Sequence, residues 1–301
     1  MIISLDMYQT LFAAVCVLML GRFLKARIGF LEKFCIPAPV IGGVLFAVFT
    51  CLCYVTGIAE FEFDDILKEV CMVFFFTSVG FQANLKVLKS GGKSLIIFLG
   101  LVVALILCQN FLAVGLADLL GISPMIGLCT GSIPMVGGHG TAGAFGPVLE
   151  DFGVAGATTL CTAAATYGLV SGCVIGGPLG TLLMRRNGLH PTGVAAGVKP
   201  DATLLQAPSS ALTGDTVMYA SILITVSIGA GTLLVNWLKG MGITLPAYLG
   251  PMLVAAVVRN IIDWRDSELP LRQFEVVGNV SLAFFLAMAL MSMKLWELAE
   301  V

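Results

Sequence analysis

Residues 119–149, LLGISPMIGLCTGSIPMVGGHGTAGAFGPVL, run for 31 positions without an Asp, Glu, Lys or Arg. Eight glycines and three prolines nevertheless make the stretch a poor membrane helix. Hydrocarbon does not tolerate irregular backbone facing lipid, because each unpaired N–H or C=O costs several kcal/mol there. Broken backbone at membrane depth survives only where it is buried in protein or lines a cavity, and carriers use such places as binding sites. The segment Gly137-Gly138-His139-Gly140-Thr141, with Ser132 close before it, is therefore the candidate site.

Composition sets the class. The 301 residues are 58% hydrophobic and 11% charged, with a mean hydropathy of +1.00. Soluble chains carry roughly a quarter charged residues. Recurring apolar runs of membrane-spanning length make this an all-α polytopic membrane protein. A net charge of −2 without a basic block excludes nucleic acid as a partner. Asp6 precedes the first apolar run and Arg22, Lys25 and Arg27 follow it, the reverse of a cleavable signal. The nine cysteines form no CxxC pair and read as small apolar residues packed between helices, without a metal site. No intramembrane Ser–His or carboxylate pair suggests an enzyme, so no catalytic residue is expected.

Eight full spans are expected near 8–24, 36–56, 70–85, 94–117, 155–183, 217–238, 245–258 and 276–293. The 119–149 stretch is additional, and charge tests its topology. If it enters and leaves on one side, thirteen of the sixteen Lys and Arg fall on one face of the membrane and three (Lys68, Lys239, Lys294) on the other. If it crosses, the count becomes nine against seven. Basic loops face the cytoplasm. The re-entrant reading follows, with the N-terminus outside and the Gly/Pro/Ser-rich 185–215 segment, His190 included, as a cytoplasmic linker.

The two halves resemble each other. Ile36-Pro37-Ala38-Pro39 followed by VIGGVLFAVF matches Leu245-Pro246-Ala247-Tyr248 followed by LGPMLVAAVV, and FFFTSVGFQANLKVL from Phe74 matches FFLAMALMSMKLWEL from Phe284. The offsets are 209 and 210 residues. Five spans per half would orient the copies oppositely, the inverted-repeat plan of many carriers. The expected organisation is a first repeat over 1–184, the linker over 185–215 and a partial second repeat over 216–301. A partner for the 119–149 hairpin would lie near 329–359, beyond Val301. The expectation is an incomplete second repeat, completed by another polypeptide or lost by truncation, with the chain inactive alone left open.

Three stretches, GSIPMVGGHGTAGAFG (131–146), FFFTSVGFQANLKVL (74–88) and GNVSLAFFLAMALMSMKLWELA (278–299), resemble the bacterial sodium/glutamate symporter family. The likeness runs along essentially the whole chain, although members of that family extend further and carry a second Gly-rich hairpin. It implies sodium-coupled uptake of L-glutamate across the bacterial inner membrane, with membrane lipid as the surroundings, sodium as the coupling ion and no organic cofactor. A homodimer is left open. The alternatives are a channel, since Gly-rich re-entrant loops also build filters, and a sodium-coupled carrier of another organic carboxylate.

Glutamate brings two carboxylates and one ammonium, each needing partners out of water. Glycines let backbone N–H groups converge on an anion. Ser132 and Thr141 offer hydroxyls, and His139 offers a hydrogen bond or a compensating charge. No apolar run contains an acidic residue, which favours sodium over protons. Oxygens for sodium are expected from Thr77 and Ser78, with Gln82 and Asn84 beside the break at Gly80. Gly168, Gly172, Gly176 and Gly180 read as a helix-packing seam, and Trp237, Trp264 and Trp296 as interfacial anchors.

Overall fold

The computed structural model describes residues 2–29, 31, 36–90, 92–188, 212–242, 245–265 and 269–296. In chain order these form β1 (Ile2–Leu5), α1 (Met7–Arg27), α2 (Ala38–Val55), β2 (Glu60–Phe63), α3 (Ile66–Gly80), α4 (Leu85–Ser90), α5 (Gly92–Leu119), α6 (Pro124–Thr130), α7 (Ser132–Met135), α8 (Gly138–Asp151), α9 (Ala157–Arg186), α10 (Gly214–Gly240), α11 (Leu249–Trp264) and α12 (Leu271–Met291). A helix stands at each of the eight expected spans. Six of them (α1, α2, α5, α9, α10 and α12) are long and apolar enough to cross a membrane. The chain is a multi-pass membrane protein.

The other two fall short of full spans. With 15 and 16 residues, α3 and α11 rise about 22–24 Å, less than the roughly 30 Å of hydrocarbon. The linker expected over 185–215, with His190, falls largely in 189–211, outside the described residues.

Two compact units divide the chain. The first takes residues 1–72, 85–172 and 281–301, the second 73–84 and 173–280. In the first, Asp6 begins α1: its carboxylate accepts the N–H groups of Tyr8 (2.9 Å) and Gln9 (2.8 Å), while Gln9 Oε1 accepts the Asp6 N–H. This reciprocal cap satisfies donors the helix itself leaves open. The helix then lies against α2, where a Cβ on Gly21 would strike the Ala38 carbonyl and one on Gly42 the Val17 carbonyl. Ala14, Val17 and Leu18 bury themselves against Ala287, Met288 and Met291 of α12.

The all-helical expectation needs one correction. Glu60–Phe63, between two expected spans, pairs in parallel with Ile2–Leu5, Ile2 facing Glu60 and Leu5 facing Phe63. The alternation EFEF explains the pairing: Phe61 and Phe63 pack on Phe49 and Phe46 of α2 while Glu62 stays exposed and accepts the Ser4 hydroxyl at 3.2 Å.

In the second unit α10 begins at Thr213, whose hydroxyl accepts the Thr216 N–H, and lies against α11. A Cβ on Gly231 would collide with Pro251, and one on Gly250 with the Gly231 carbonyl. Phe81 stacks on Phe274 with centroids 4.1 Å apart, in a core with Ala220, Ile224 and Ala255. Gly21 and Gly231, which bring their helix pairs together in the two units, stand 210 residues apart.

Several sequence readings need revision. Of the glycine seam only Gly168 meets a neighbour, the Met135 sulfur; a Cβ on Gly172, Gly176 or Gly180 would meet nothing within 4 Å among the described residues. Cys129 and Cys161 are packed as expected, but Cys16 and Cys108 are exposed. Arg259, counted as a loop residue, is buried within α11 and pairs with Asp263 at 2.8 Å. The indoles of Trp237 and Trp264 are exposed near helix ends, and Trp296 stacks on Tyr54 at 4.1 Å.

Candidate functional site

Three short helices replace a span over 119–149. After α5 the chain turns at Gly121 (φ +72°), and Ser123 starts α6, its hydroxyl accepting the Met125 N–H, with Pro124 in the first turn. Proline suits that place because its missing N–H would have no helical partner. The chain breaks again at Gly131 and at Val136-Gly137, and α8 starts from Gly138 at φ +71°. A left-handed backbone there disfavours any residue with a Cβ.

Polar groups tie the breaks together. The Ser132 N–H, freed where α6 ends, donates to Asn110 Oδ1 of α5 at 2.9 Å. The Thr141 hydroxyl donates to the Ile133 carbonyl at 2.6 Å, with the Gly138 carbonyl at 3.1 Å. Thr141 therefore closes α7 onto α8, leaving only its oxygen lone pairs for anything else. Gly137 precedes α8 and has no side chain with which to accept the first N–H groups of this 14-residue helix. Such N–H groups and the helix dipole favour an anion.

His139 is buried and meets Thr166 of α9, with Nε2 and Oγ1 3.0 Å apart. The Thr166 hydroxyl already donates to the Thr162 carbonyl at 2.9 Å, and the Thr162 hydroxyl to the Thr158 carbonyl at 2.7 Å. A Thr166 hydroxyl that donates to Thr162 has a lone pair left to accept from His139 Nε2, an arrangement that suits the tautomer carrying its proton on Nε2. Thr158, Thr162 and Thr166 recur at every fourth position and so share one face of α9.

A cavity of about 590 Å³ in the first unit reaches His139 and Gly143. Thr158, Thr159 and Thr162 line one side of it, Phe285 and Met293 contribute apolar surface, and Glu62, Lys68, Glu69, Glu150 and Lys294 bring charge. Glu150 accepts the Thr158 N–H at 2.9 Å and so caps the start of α9. The Thr158 hydroxyl is itself buried without a hydrogen-bond partner among the described residues.

The expected residues thus separate into two groups. Ser132, Gly137, Gly138, His139, Gly140 and Thr141 come together in the hairpin of the first unit; Thr77, Ser78, Gln82 and Asn84 belong to the second. Thr77 and Ser78 are buried and donate to the carbonyls of Val73 and Phe75, both at 2.7 Å, so their oxygens keep lone pairs. Gln82 is exposed. Asn84 donates to Asp263 at 2.9 Å, and Asn260 donates to the Ala83 carbonyl at 2.9 Å. These contacts fasten the turn after α3 to α11. Asn110, beside Gln109 inside an expected span, and Arg259 and Asp263, just past the end of another, were missed because nothing in the sequence says which groups they meet.

The family model for sodium/glutamate symporters matches residues 3–301. The sodium/glutamate symporter of Escherichia coli (strain K12) is 37% identical over 309 residues, an alignment covering 99% of this chain and 75% of that protein. That of Haemophilus influenzae (strain ATCC 51907 / DSM 11121 / KW20 / Rd) is 36% identical over 296 residues, covering 97% and 73%. No solved structure matches. With a match along nearly its whole length, the chain belongs to the sodium/glutamate symporter family, whose members are transporters and not enzymes.

Proposed function

We propose that this chain carries L-glutamate into the cell together with sodium, across the bacterial inner membrane, by alternating access around the 119–149 hairpin. The observation that carries the reading is the cavity that reaches His139. Its charged lining (Glu62, Asp65, Lys68, Glu69, Glu150, Lys294) comes entirely from stretches that charge bias assigns to the exterior. Re-entry of 119–149 from that side accounts for Glu150, at the hairpin's exit, lining the same cavity as Lys68 and Lys294. Relatives of this chain are named for sodium and glutamate, and the uncapped start of α8 suits a carboxylate.

The inverted repeat, with 1–184 as first copy and 216–301 as part of the second, is supported by two glycine-mediated helix pairs, α1 with α2 and α10 with α11. Thr77 and Ser78 are the proposed sodium ligands, each with an oxygen free to accept; the cation replaces water with hydroxyl and carbonyl oxygens. Reconstitution into liposomes tests the reading. Labelled glutamate should accumulate under an inward sodium gradient, saturably and not under an equal potassium gradient. Uptake indifferent to sodium would overturn the coupling, and an ohmic current would mark a pore instead.

A further inference from the structure

Where α8 and α9 wall the cavity, oxygen atoms gather. His139, Gly143, Pro147 and Glu150 recur at helical spacing and share the face of α8 that lines it. Pro147 has no N–H, so the Gly143 carbonyl one turn before it loses the donor a regular helix would give. Helix carbonyls point toward the C-terminal end, here toward Glu150. One Glu150 carboxylate oxygen accepts the Thr158 N–H at 2.9 Å, which leaves the second oxygen and the charge. Gly143 and Glu150 stand on either side of Gly146 along α8, and Gly146 is where that helix meets Thr158. A Cβ there would come 2.6 Å from Thr158 Cα and 2.8 Å from its Oγ1.

The Thr158 hydroxyl supplies an independent argument. It is buried with no hydrogen-bond partner among the described residues, a standing cost that a ligand would offset. One turn on, the Thr162 hydroxyl donates to the Thr158 carbonyl and keeps its lone pairs. Charge decides the sign of the ligand. Among the described residues the cavity is lined by four carboxylates (Glu62, Asp65, Glu69, Glu150) against two ammonium groups (Lys68, Lys294), which favours a cation. No three Asp, Glu, His or Cys side chains converge among those residues as a divalent site would need. A monovalent ion remains.

The ammonium group of the cargo does not fit the place. A cargo held by its α-carboxylate at the start of α8 carries its ammonium on the same carbon, whereas Glu150 lies twelve residues along that helix, about 18 Å away. We propose that a sodium ion binds between α8 and α9, held by the Glu150 carboxylate, the Thr158 hydroxyl and the Gly143 carbonyl, with water completing its shell. The site is separate from Thr77 and Ser78, and it rests on the reading of the chain as a sodium-coupled carrier. Its place gives it a use. The ion ties the hairpin to α9 and offsets part of the negative charge that an anionic cargo meets on entering the cavity.

The test is amide hydrogen exchange of the full chain in detergent, without glutamate, in sodium chloride against potassium chloride at equal ionic strength. Sodium should slow exchange across 143–162, because an ion bound only to the closed form opposes local opening. Glu150→Gln keeps an oxygen for the Thr158 N–H, and Thr158→Val keeps the shape of the side chain; both should lose the sodium protection. Thr158→Ser should retain it. Protection across 73–84, around Thr77 and Ser78, should survive in all three. In potassium Thr158→Val should melt no lower than the unaltered chain, since it removes an unpaired hydroxyl. Sodium protection of 143–162 that persists in either Glu150→Gln or Thr158→Val overturns the proposal, as does equal protection by potassium or equal loss in Thr158→Ser. If sodium protects nothing there while it still drives glutamate uptake in liposomes, the site falls and the carrier reading stands. Protection without sodium-driven uptake is the reverse outcome.

Discussion

At the scale of single residues, the hairpin is held by a few side chains that satisfy backbone groups at its breaks. Asn110 is the sharpest instance, an amide within α5 that accepts the Ser132 N–H. Asn110→Leu keeps the bulk and strands a donor, which costs about 1–3 kcal/mol. We expect a lower melting temperature for the detergent-solubilised protein, read by intrinsic fluorescence, and weaker glutamate binding with it. Gly138 is constrained differently. Its φ of +71° costs a residue with a Cβ roughly 1–2 kcal/mol before any crowding, and more for β-branched valine. Gly138→Val should therefore abolish uptake while the protein still inserts; full uptake by that variant would remove the α8 start from the site. The glycines were legible as an interruption because nothing else explains their density in an apolar run. The Thr141 and Asn110 ties were not, since a hydroxyl or amide in a sequence does not say which carbonyl or N–H it will meet.

At the scale of helices, close packing follows from small residues that let backbones touch. Gly21 and Gly42 bring α1 against α2, and Gly231 and Gly250 bring α10 against α11. Adding one methyl at either contact forces a shift costing about 1–3 kcal/mol. Gly21→Ala and Gly231→Ala should both reduce the monodisperse fraction on size-exclusion chromatography after heating. Gly229→Ala, whose Cβ meets nothing within 4 Å among the described residues, should not. Helix positions were readable because apolar length is a direct demand of the bilayer, and α5, whose most apolar 18-residue window is wholly unburied, shows that demand alone. The shortness of α3 and α11 was less readable. Gly80 ends α3 where a Cβ would strike the Met252 carbonyl, a tertiary contact across 172 positions. The strand pair was hidden for the same reason, because Ile2–Leu5 has no partner until Glu60–Phe63 is brought beside it.

At the scale of the whole molecule, charge distribution and cavity point to the same topology. The three lysines assigned outside by loop counting include the two, Lys68 and Lys294, that line the cavity beside His139. Both that agreement and the carrier mechanism depend on the 119–149 segment returning to the side it entered from. Single cysteines at Leu119 and Glu150, placed in a background without the native nine cysteines, measure this directly with a membrane-impermeant maleimide applied to intact cells. Labelling of both positions from outside is the expected result. Labelling of one position from outside and of the other only after the membrane is opened would contradict the account.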